Sequence, residues 1–411
     1  VDCGSPAAIP TNDAMSQPTA KIRFWGVRGS TPTADPATWR YGGNTPCIEL
    51  TTPKGTRFIL DCGTGVRVLG NQIAGANTNG NNTNGNQKPQ DAHILLTHYH
   101  WDHIQGIPFF APLYSPQNSF HFYSFRSDFL GPDSLKQVFE TQMAHPYFPV
   151  NVQAMTAQRD FTEITGGDTF QIDDARITVR WLNHPQGCLG MRFETPAGVI
   201  AYATDNEPGD AALDRNLLAL AADADIFIND AQYTPEQLAT DRKGWGHSSW
   251  LEGTRVAKEA RAANLVLFHH DPDSPDRAVD DLLRQARQHF DNVWAATEGM
   301  AMGLGQEVMD VHLPTGRSGQ RREGNLRAVI SGFTSEGRAF KEETLIRDLT
   351  LQGAMIYLQH SPRLQSELQV EMDDPGKENP AAQRMKLRGY VVKLEPGPQA
   401  EQTAVGVVFT E

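Results

Sequence analysis

"HILLTHYHWDHIQG", residues 93–106, decides how this 411-residue chain is read. A short apolar run, Ile94-Leu95-Leu96, leads into four ligand-type side chains within six positions: His98, His100, Asp102 and His103. Side chains two apart in an extended strand point the same way, so the His98 and His100 imidazoles can reach one ion. Asp102 and His103 follow as the chain turns and can face a neighbouring position. Imidazoles with a few carboxylates suit zinc, iron or manganese better than calcium or magnesium.

Working outward, four other apolar runs also end on Asp or His: "RFILDCG", "ITVRWLNH", "VIAYATD" and "LVLFHH". Each reads as a buried strand. Between them, "DAALDRNLLALAADA", "SSWLEGTRVAKEARAAN" and "DRAVDDLLRQARQHF" carry apolar residues at helical spacing. The expectation is a layered α/β domain whose strand ends gather polar residues at one rim, where open α/β folds place their sites.

Three polar stretches, the first two Gly-rich, interrupt this pattern, at 75–90, 314–325 and 373–384. The first reads as a surface loop, the second as an interdomain linker and the third as a long hairpin loop. The resulting division is a disordered or foreign start at 1–20, a catalytic domain at 21–313, a linker at 314–325 and a second domain at 326–411. Strand-like runs in the last segment, among them "ELQVEM", "LRGYVVKLE" and "TAVGVVFT", suggest a small antiparallel barrel.

Composition removes several classes of function. The net charge of −13 disfavours a nucleic-acid binder relying on a broad basic surface, though a local basic groove stays open. Four scattered cysteines without a CxxC pair indicate neither a disulfide framework nor a zinc knuckle. Cys62 and Cys188, beside site candidates, are read as small buried thiols. No apolar run approaches membrane-spanning length, and the start lacks the layout of a signal peptide. A cytoplasmic enzyme is the expectation.

The stretch around His98 resembles the His-x-His-x-Asp-His signature of the metallo-β-lactamase superfamily, and matching elements follow in order. "FILDCGTG" carries Asp61, "LNHPQGCLGMRF" His184, "AYATDNE" Asp205 and "LVLFHHDP" His269. The opening "KIRFWGVRGSTPT…YGGNTPCIEL" is similar to phosphodiesterase- and ribonuclease Z-like members. The resemblance implies a four-layer αβ/βα fold holding two divalent metal ions, with Zn2+ preferred and Mn2+ or Fe2+ as alternatives. It places His98, His100 and His184 on one ion, and Asp102, His103 and His269 on the other. Asp205 would bridge them, and Asp61 would support the ligand loop from behind. His270 competes for the His269 role; His269 is favoured because it directly follows the apolar strand.

The implied activity is hydrolysis of a small or cyclic nucleotide-type phosphodiester by a metal-bridging hydroxide. Asp102 would join that chemistry, and His247 in "GWGHSSW" would stabilise charge or protonate the leaving group. The alternative for His247 is a helix cap, a job open to Ser248 or Ser249. Asp230 and Tyr233, in "NDAQYTPEQ", are candidate pocket residues. Phosphotriesters, sulfate esters and lactones are alternative substrates. Transfer RNA is disfavoured because the catalytic region lacks a long basic, Gly-rich arm. A homodimer fits the resemblance. Phe120, Phe122, Tyr123, Phe125, Phe129, Tyr147 and Phe148 either wall a substrate pocket or pack a flap.

The C-terminal segment resembles PilZ domains, with Asp348, Thr350 and Gly353 at matching positions of "RDLTLQGAMIYL". Arg317 and Arg321 supply the Arg-x-x-x-Arg spacing that cyclic di-GMP binders carry. They lie several residues ahead of the first strand. A barrel used for docking or oligomerisation is therefore preferred, with nucleotide sensing as the alternative.

Overall fold

The computed structural model describes residues 18–75, 88–305, 310–313, 322–349, 353–373, 384–399 and 401–410. The strands β1 (Ala20–Gly26), β2 (Cys47–Thr51), β3 (Arg57–Leu60), β4 (Asp91–Leu95), β5 (Ser119–Ser124) and β6 (Gln158–Glu163) form most of one sheet. The chain then builds a second sheet from β7 (Thr169–Ile172), β8 (Ala175–Leu182), β9 (Cys188–Thr195), β10 (Gly198–Ala203), β11 (Ile226–Asp230), β12 (Leu265–Phe268) and β13 (Val293–Ala295). It returns to the first sheet with β14 (Ala301–Leu304), beside β1, and β15 (Asp310–His312). Strands β3 to β6 and β10 to β13 run parallel within their sheets; the remaining pairs are antiparallel.

Layering follows from which faces are apolar. In β5, "SFHFYS", every second residue is buried, the two-residue period of a strand. Phe24, Leu50, Phe58 and Leu95 of the first sheet meet Val179, Met191, Phe193 and Tyr202 of the second in one continuous core. Against the outer face of the first sheet pack α1 (Gly65–Ile73) and α3 (Ser134–Gln142), through Val66, Leu69, Leu135 and Phe139. Between these helices in the chain comes the single turn α2 (Trp101–Ile104). The second sheet is covered by α4 (Ala211–Ala221), α6 (Trp250–Glu259) and α7 (Asp276–His289), with the short α5 (Pro235–Ala239) before α6. In α7 the buried residues Val279, Leu282, Leu283 and Ala286 recur at helical spacing. Asp210 caps α4 by accepting from the Ala212 and Leu213 amides. The expected four-layer α/β architecture is the one found.

The C-terminal strands β16 (Arg322–Phe333), β17 (Ala339–Leu349), β18 (Gly353–Leu358), β19 (Glu367–Asp373), β20 (Arg384–Pro396) and β21 (Thr403–Thr410) close into an antiparallel barrel in the order β16-β17-β18-β21-β20-β19. Ile330, Ile346, Ile356, Val370 and Val405 fill it. Strand β16 starts inside the segment expected to be linker: Arg322 and Glu323 already pair with Leu349 and Asp348. Polar composition hid that start, because a partner strand supplies the hydrogen bonds. Asp348 and Gly353 lie on adjacent strands, whereas Arg317, Arg321 and Thr350 fall outside the described residues. Most of the Gly-rich stretch 75–90 and of the 373–384 loop also falls outside them. Among the described residues no helix is long and apolar enough to cross a membrane.

The barrel is docked on the α/β layers through polar groups. Gln365, at φ 56°, donates to the Ala295 carbonyl at 2.7 Å and accepts from the Ala295 amide at 3.1 Å. The half-buried Arg287 guanidinium donates to the Gln365 and Leu364 carbonyls at 2.9 and 3.2 Å. The Tyr390 and Tyr41 hydroxyls meet at 2.7 Å. Replacing Gln365 by Ala leaves the backbone of Ala295 without these partners. A loss of about 1–3 kcal/mol of stability is expected, read from the midpoint of chemical denaturation.

Candidate metal centre

The site is assembled from strand ends. Asp61 follows β3, His98 and His100 follow β4, and Asp102 and His103 lie in α2. From the second sheet, His184 follows β8, Asp205 follows β10 and His269 follows β12. Ser30, Asp61, Gln186, Asp205 and His269 all adopt positive φ, between 49° and 68°, without being glycine. Such backbone costs about 1 kcal/mol or more per residue and clusters at functional sites. At Asp61, Asp205 and His269 it turns the chain sharply off its strand and buries the side chain in the cluster. Gly246, at φ 85°, lets its loop pass against His184, whose Nδ1 would lie 2.3 Å from an added Cβ.

Two groups of donors result. Ring nitrogens of His98, His100 and His184 converge in one, and donor atoms of Asp102, His103, Asp205 and His269 in the other; each set could hold a metal ion. Asp205 lies between them. Its Oδ2 is 3.6 and 3.7 Å from Nε2 of His98 and His184, and its Oδ1 is 3.3 Å from Nε2 of both His103 and His269. Asp102 Oδ2 lies 3.1 Å from His269 Nε2 and 3.3 Å from His103 Nε2. The structure thus brings together all seven residues expected as ligands.

The outward nitrogens fix the direction of the inward ones. His184 Nδ1 donates to the Gly246 carbonyl at 2.8 Å, His269 Nδ1 to Gln232 Oε1 at 2.8 Å, and His103 Nδ1 to Asp61 at 2.9 Å. His100 Nε2 donates to Gln186 Oε1 at 3.2 Å. The Thr97 hydroxyl, engaged as a donor to Asp61 at 3.0 Å, accepts from His98 Nδ1 at 3.0 Å. In its neutral form each imidazole therefore turns a lone pair inward. His100 Nδ1 and His184 Nε2 face each other at 3.0 Å, and His103 Nε2 and His269 Nε2 at 3.3 Å. With both protons on the far nitrogens, neither contact is a hydrogen bond. Two nitrogens each about 2.0–2.1 Å from one tetrahedral cation would stand roughly 3.3 Å apart. Buried His98 Nε2 has no hydrogen-bond partner among the described residues. The donor set fits divalent cations.

Charge points the same way. Burial, with the neighbouring imidazoles, holds His98 well below the usual histidine range, and burial brings His184 down to about 4. Both are neutral and free to ligate. Burial also opposes a charge on His103, yet Asp102, Asp205 and Asp61 drive its pKa well above normal. Three carboxylates around one imidazole call for positive charge.

His247 stands at the edge of the second group, its ring stacked on His269 at 5.0 Å. Its Nδ1 donates to Asp230 at 2.8 Å. Burial works against protonation, but Asp230, Asp205 and Asp102 together raise its pKa to about 9. Ser249 caps α6, so His247 is not spent as a cap. Asp230 and Tyr233 do not line an open pocket. Both are buried, and Asp230 holds His247 in place from behind. Sequence gave no hint of this, because an acid at a strand end looks the same whether it faces solvent or a histidine.

His270 turns away from the cluster, donating from Nε2 to the Ala296 carbonyl at 2.9 Å. Cys62 and Cys188 are buried free thiols with pKa values well above normal, held there first by burial. Thr97, Tyr202, Gln186, Gln232 and Ser30 contribute to the site without having been singled out. Their types are common everywhere, and only their neighbours mark them. Of the aromatic run, Phe120 and Phe122 are core, Phe125 edges a recess, and Phe129 and Tyr147 are 77% and 85% exposed.

The beta-lactamase superfamily domain model matches residues 56–270, more than half of the chain. Ribonuclease BN of Proteus mirabilis is 24% identical over 254 residues, covering 50% of this chain and 79% of that protein. The probable metallo-hydrolase YhfI of Bacillus subtilis is 27% identical over 199 residues, covering 47% of this chain and 69% of its own. The crystal structure of the metallo-beta-lactamase fold protein YhfI from Bacillus subtilis superposes with a TM-score of 0.50 at 18% identity, covering 70% of this chain and 100% of that one. The match spans the strands that carry Asp61, the His98–His103 cluster, His184, Asp205 and His269, and the chain belongs to the beta-lactamase superfamily domain family.

Proposed function

We propose that the chain hydrolyses small phosphodiesters at a centre of two divalent cations, with zinc the preferred metal. His98, His100 and His184 would hold one cation and Asp102, His103 and His269 the other, with Asp205 shared. The observation that carries this reading is the set of inward lone pairs facing one another across the gap, each fixed by a hydrogen bond on the far side of its ring. Two such cations supply Lewis acidity and a nucleophile at neutral pH.

The chain's own residues do the rest. Asp102 and Asp205 offset part of the cationic charge and leave a field that still attracts an anionic phosphoryl group. Asp230 keeps the proton on His247 Nδ1, so a protonated His247 presents its Nε2–H to a leaving oxygen. Ser30 faces the same cleft. Its amide donates to Asp102 at 2.8 Å. Gln232, whose carbonyl oxygen is committed to His269, turns its NH2 towards the Ser30 hydroxyl at 3.2 Å. That hydroxyl accepts from Gln232 and has its own proton free to donate to a phosphoryl oxygen.

Size and charge favour a small ester. The cleft over Asp102, Asp205 and His247 encloses about 430 Å³, within the range of small-molecule sites. The net charge of −13 opposes a long polyanion. The similarity to ribonuclease BN favours a second reading, an RNA phosphodiester. Bis-p-nitrophenyl phosphate, a structured RNA, a lactone, a sulfate ester and a phosphotriester, each offered to the metal-loaded protein, separate these readings. Turnover of the lactone with both diesters untouched removes the phosphodiesterase assignment.

Three substitutions follow from the assigned roles. Asp61→Asn should weaken metal binding on the order of 10–100-fold with the circular dichroism spectrum kept, measured by competition with a chelator. His247→Ala should lower kcat about 10²–10⁴-fold for an alkyl leaving group, but far less for p-nitrophenolate, which needs no proton. Equal losses for both would argue against an acid role. Ser30→Gly suits the positive φ and removes the hydroxyl. Bound metal should stay the same while kcat/KM falls about tenfold or more.

A further inference from the structure

Beside the cleft lies a second recess of about 340 Å³ that nothing above assigns. It opens onto His98 and His100, and its walls are Tyr99, Phe125, Phe129 and Leu130, with Ser127 and Gln186 at the edge. Tyr99, His100 and Gln186 also line the cleft over Asp102 and Asp205, so the two spaces adjoin. A molecule with its phosphoryl group among the metal-ligand side chains can extend one substituent into this recess.

The walls are built before any ligand arrives. Phe125 packs edge-on against Trp181 at 5.0 Å and lies 5.1 Å from the Tyr99 ring. The Tyr99 hydroxyl donates to the Phe125 carbonyl. The turn carrying Phe129 is closed by its own bonds: Gly131 N to Ser127 O at 2.8 Å, and Phe129 N to Ser127 Oγ at 3.2 Å. Gly187, at φ 93°, presents no side chain towards Phe125 and Trp181, where an added Cβ would lie 3.7 and 3.2 Å away. Yet Phe129 is 77% exposed. A phenyl ring beside a recess with two further aromatic walls offers stacking and edge contacts to a flat group. Among the residues lining the recess, none is an acid or a lysine or arginine, so a charged substituent finds no partner there.

We infer that this recess is a subsite for a planar aromatic substituent of the diester, stacked against Phe129 and edged by the Tyr99 and Phe125 rings, which pack on each other. The natural substrate is then an aryl or nucleoside phosphodiester rather than a dialkyl one. This rests on the phosphodiesterase reading, and its test is arranged to stand apart from it.

Three esters share p-nitrophenolate as leaving group and differ only in the retained group: methyl, phenyl or 5′-thymidyl. For the parent, kcat/KM for the phenyl or thymidyl ester should exceed that for the methyl ester at least tenfold, mostly through KM. Phe129→Ala should shrink that preference by on the order of tenfold and leave kcat for the methyl ester unchanged, while Phe129→Tyr keeps the preference. Whichever of the two favoured esters leads tells a nucleobase from a simple aryl group, and either result supports the subsite. A parent that treats all three alike, or a Phe129→Ala variant that lowers all three equally, overturns it. Calorimetry with phenylphosphonate and methylphosphonate gives the second readout. If no ester is turned over, the phosphodiesterase reading falls, and the phosphonates decide alone. A tenfold tighter phenyl compound whose advantage disappears in Phe129→Ala supports the subsite; equal binding overturns it.

Discussion

A single buried carboxylate holds the site together. Asp61, fully enclosed, accepts from the Thr97 amide at 2.8 Å, the Thr97 hydroxyl at 3.0 Å, His103 Nδ1 at 2.9 Å and the Tyr202 hydroxyl at 2.7 Å. Through His103 it reaches one donor group, and through Thr97 and His98 the other. Tyr202 comes from the opposite sheet, so the same acid also ties the two halves of the sandwich at the level of the centre. A buried charge so surrounded keeps its partners in place, because releasing any of them leaves it undersolvated. The imidazoles are consequently aimed before a cation arrives.

The same logic recurs around the cluster. A backbone carbonyl, amide side chains, a hydroxyl and a carboxylate take the outer protons of the imidazoles, leaving the inner nitrogens facing the cluster. Gln232 does this for His269, its amide passing on to Ser30, and Asp230 orients His247 in the same way from behind. Positive-φ turns at the strand ends supply the directions. The strain they carry is tolerable because the strands beneath are held by a large apolar core.

The barrel belongs to the same mechanical system. Tyr390 extends from it to Tyr41, whose hydroxyl also donates to Asp280 at 2.9 Å, while Arg40 lies over the Tyr390 ring at 3.9 Å. The Tyr41 ring meets His270 edge-on at 5.6 Å, directly behind His269. Buried Arg28 gathers carbonyls of Gly42, Asp271 and Ser274 at 2.7–3.0 Å, two residues before Ser30. The loop that presents Ser30 to the cleft is thus supported from the side on which the barrel docks.

Much of this was legible in the sequence, and the reason is local. His98, His100, Asp102 and His103 lie so close together that strand and turn periodicity alone brings them to one place. The apolar runs before Asp61, His184, Asp205 and His269 read as buried strands ending on polar side chains. Helical spacing also marked α4, α6 and α7, and strand-like runs marked the barrel strands after β16. What pattern could not supply was the choice among chemically similar neighbours. The sequence favours His269 over His270 only because it directly follows the apolar strand, whereas a positive-φ turn is what sends one ring into the cluster and the other into the core. Asp230 and Tyr233 passed for pocket walls, and Phe120, Phe122, Phe125 and Phe129 formed one undivided aromatic run. Burial sorted them. A hydrogen bond or a stacked ring needs two partners from distant parts of the chain, and only the packing of one sheet on the other sets that distance.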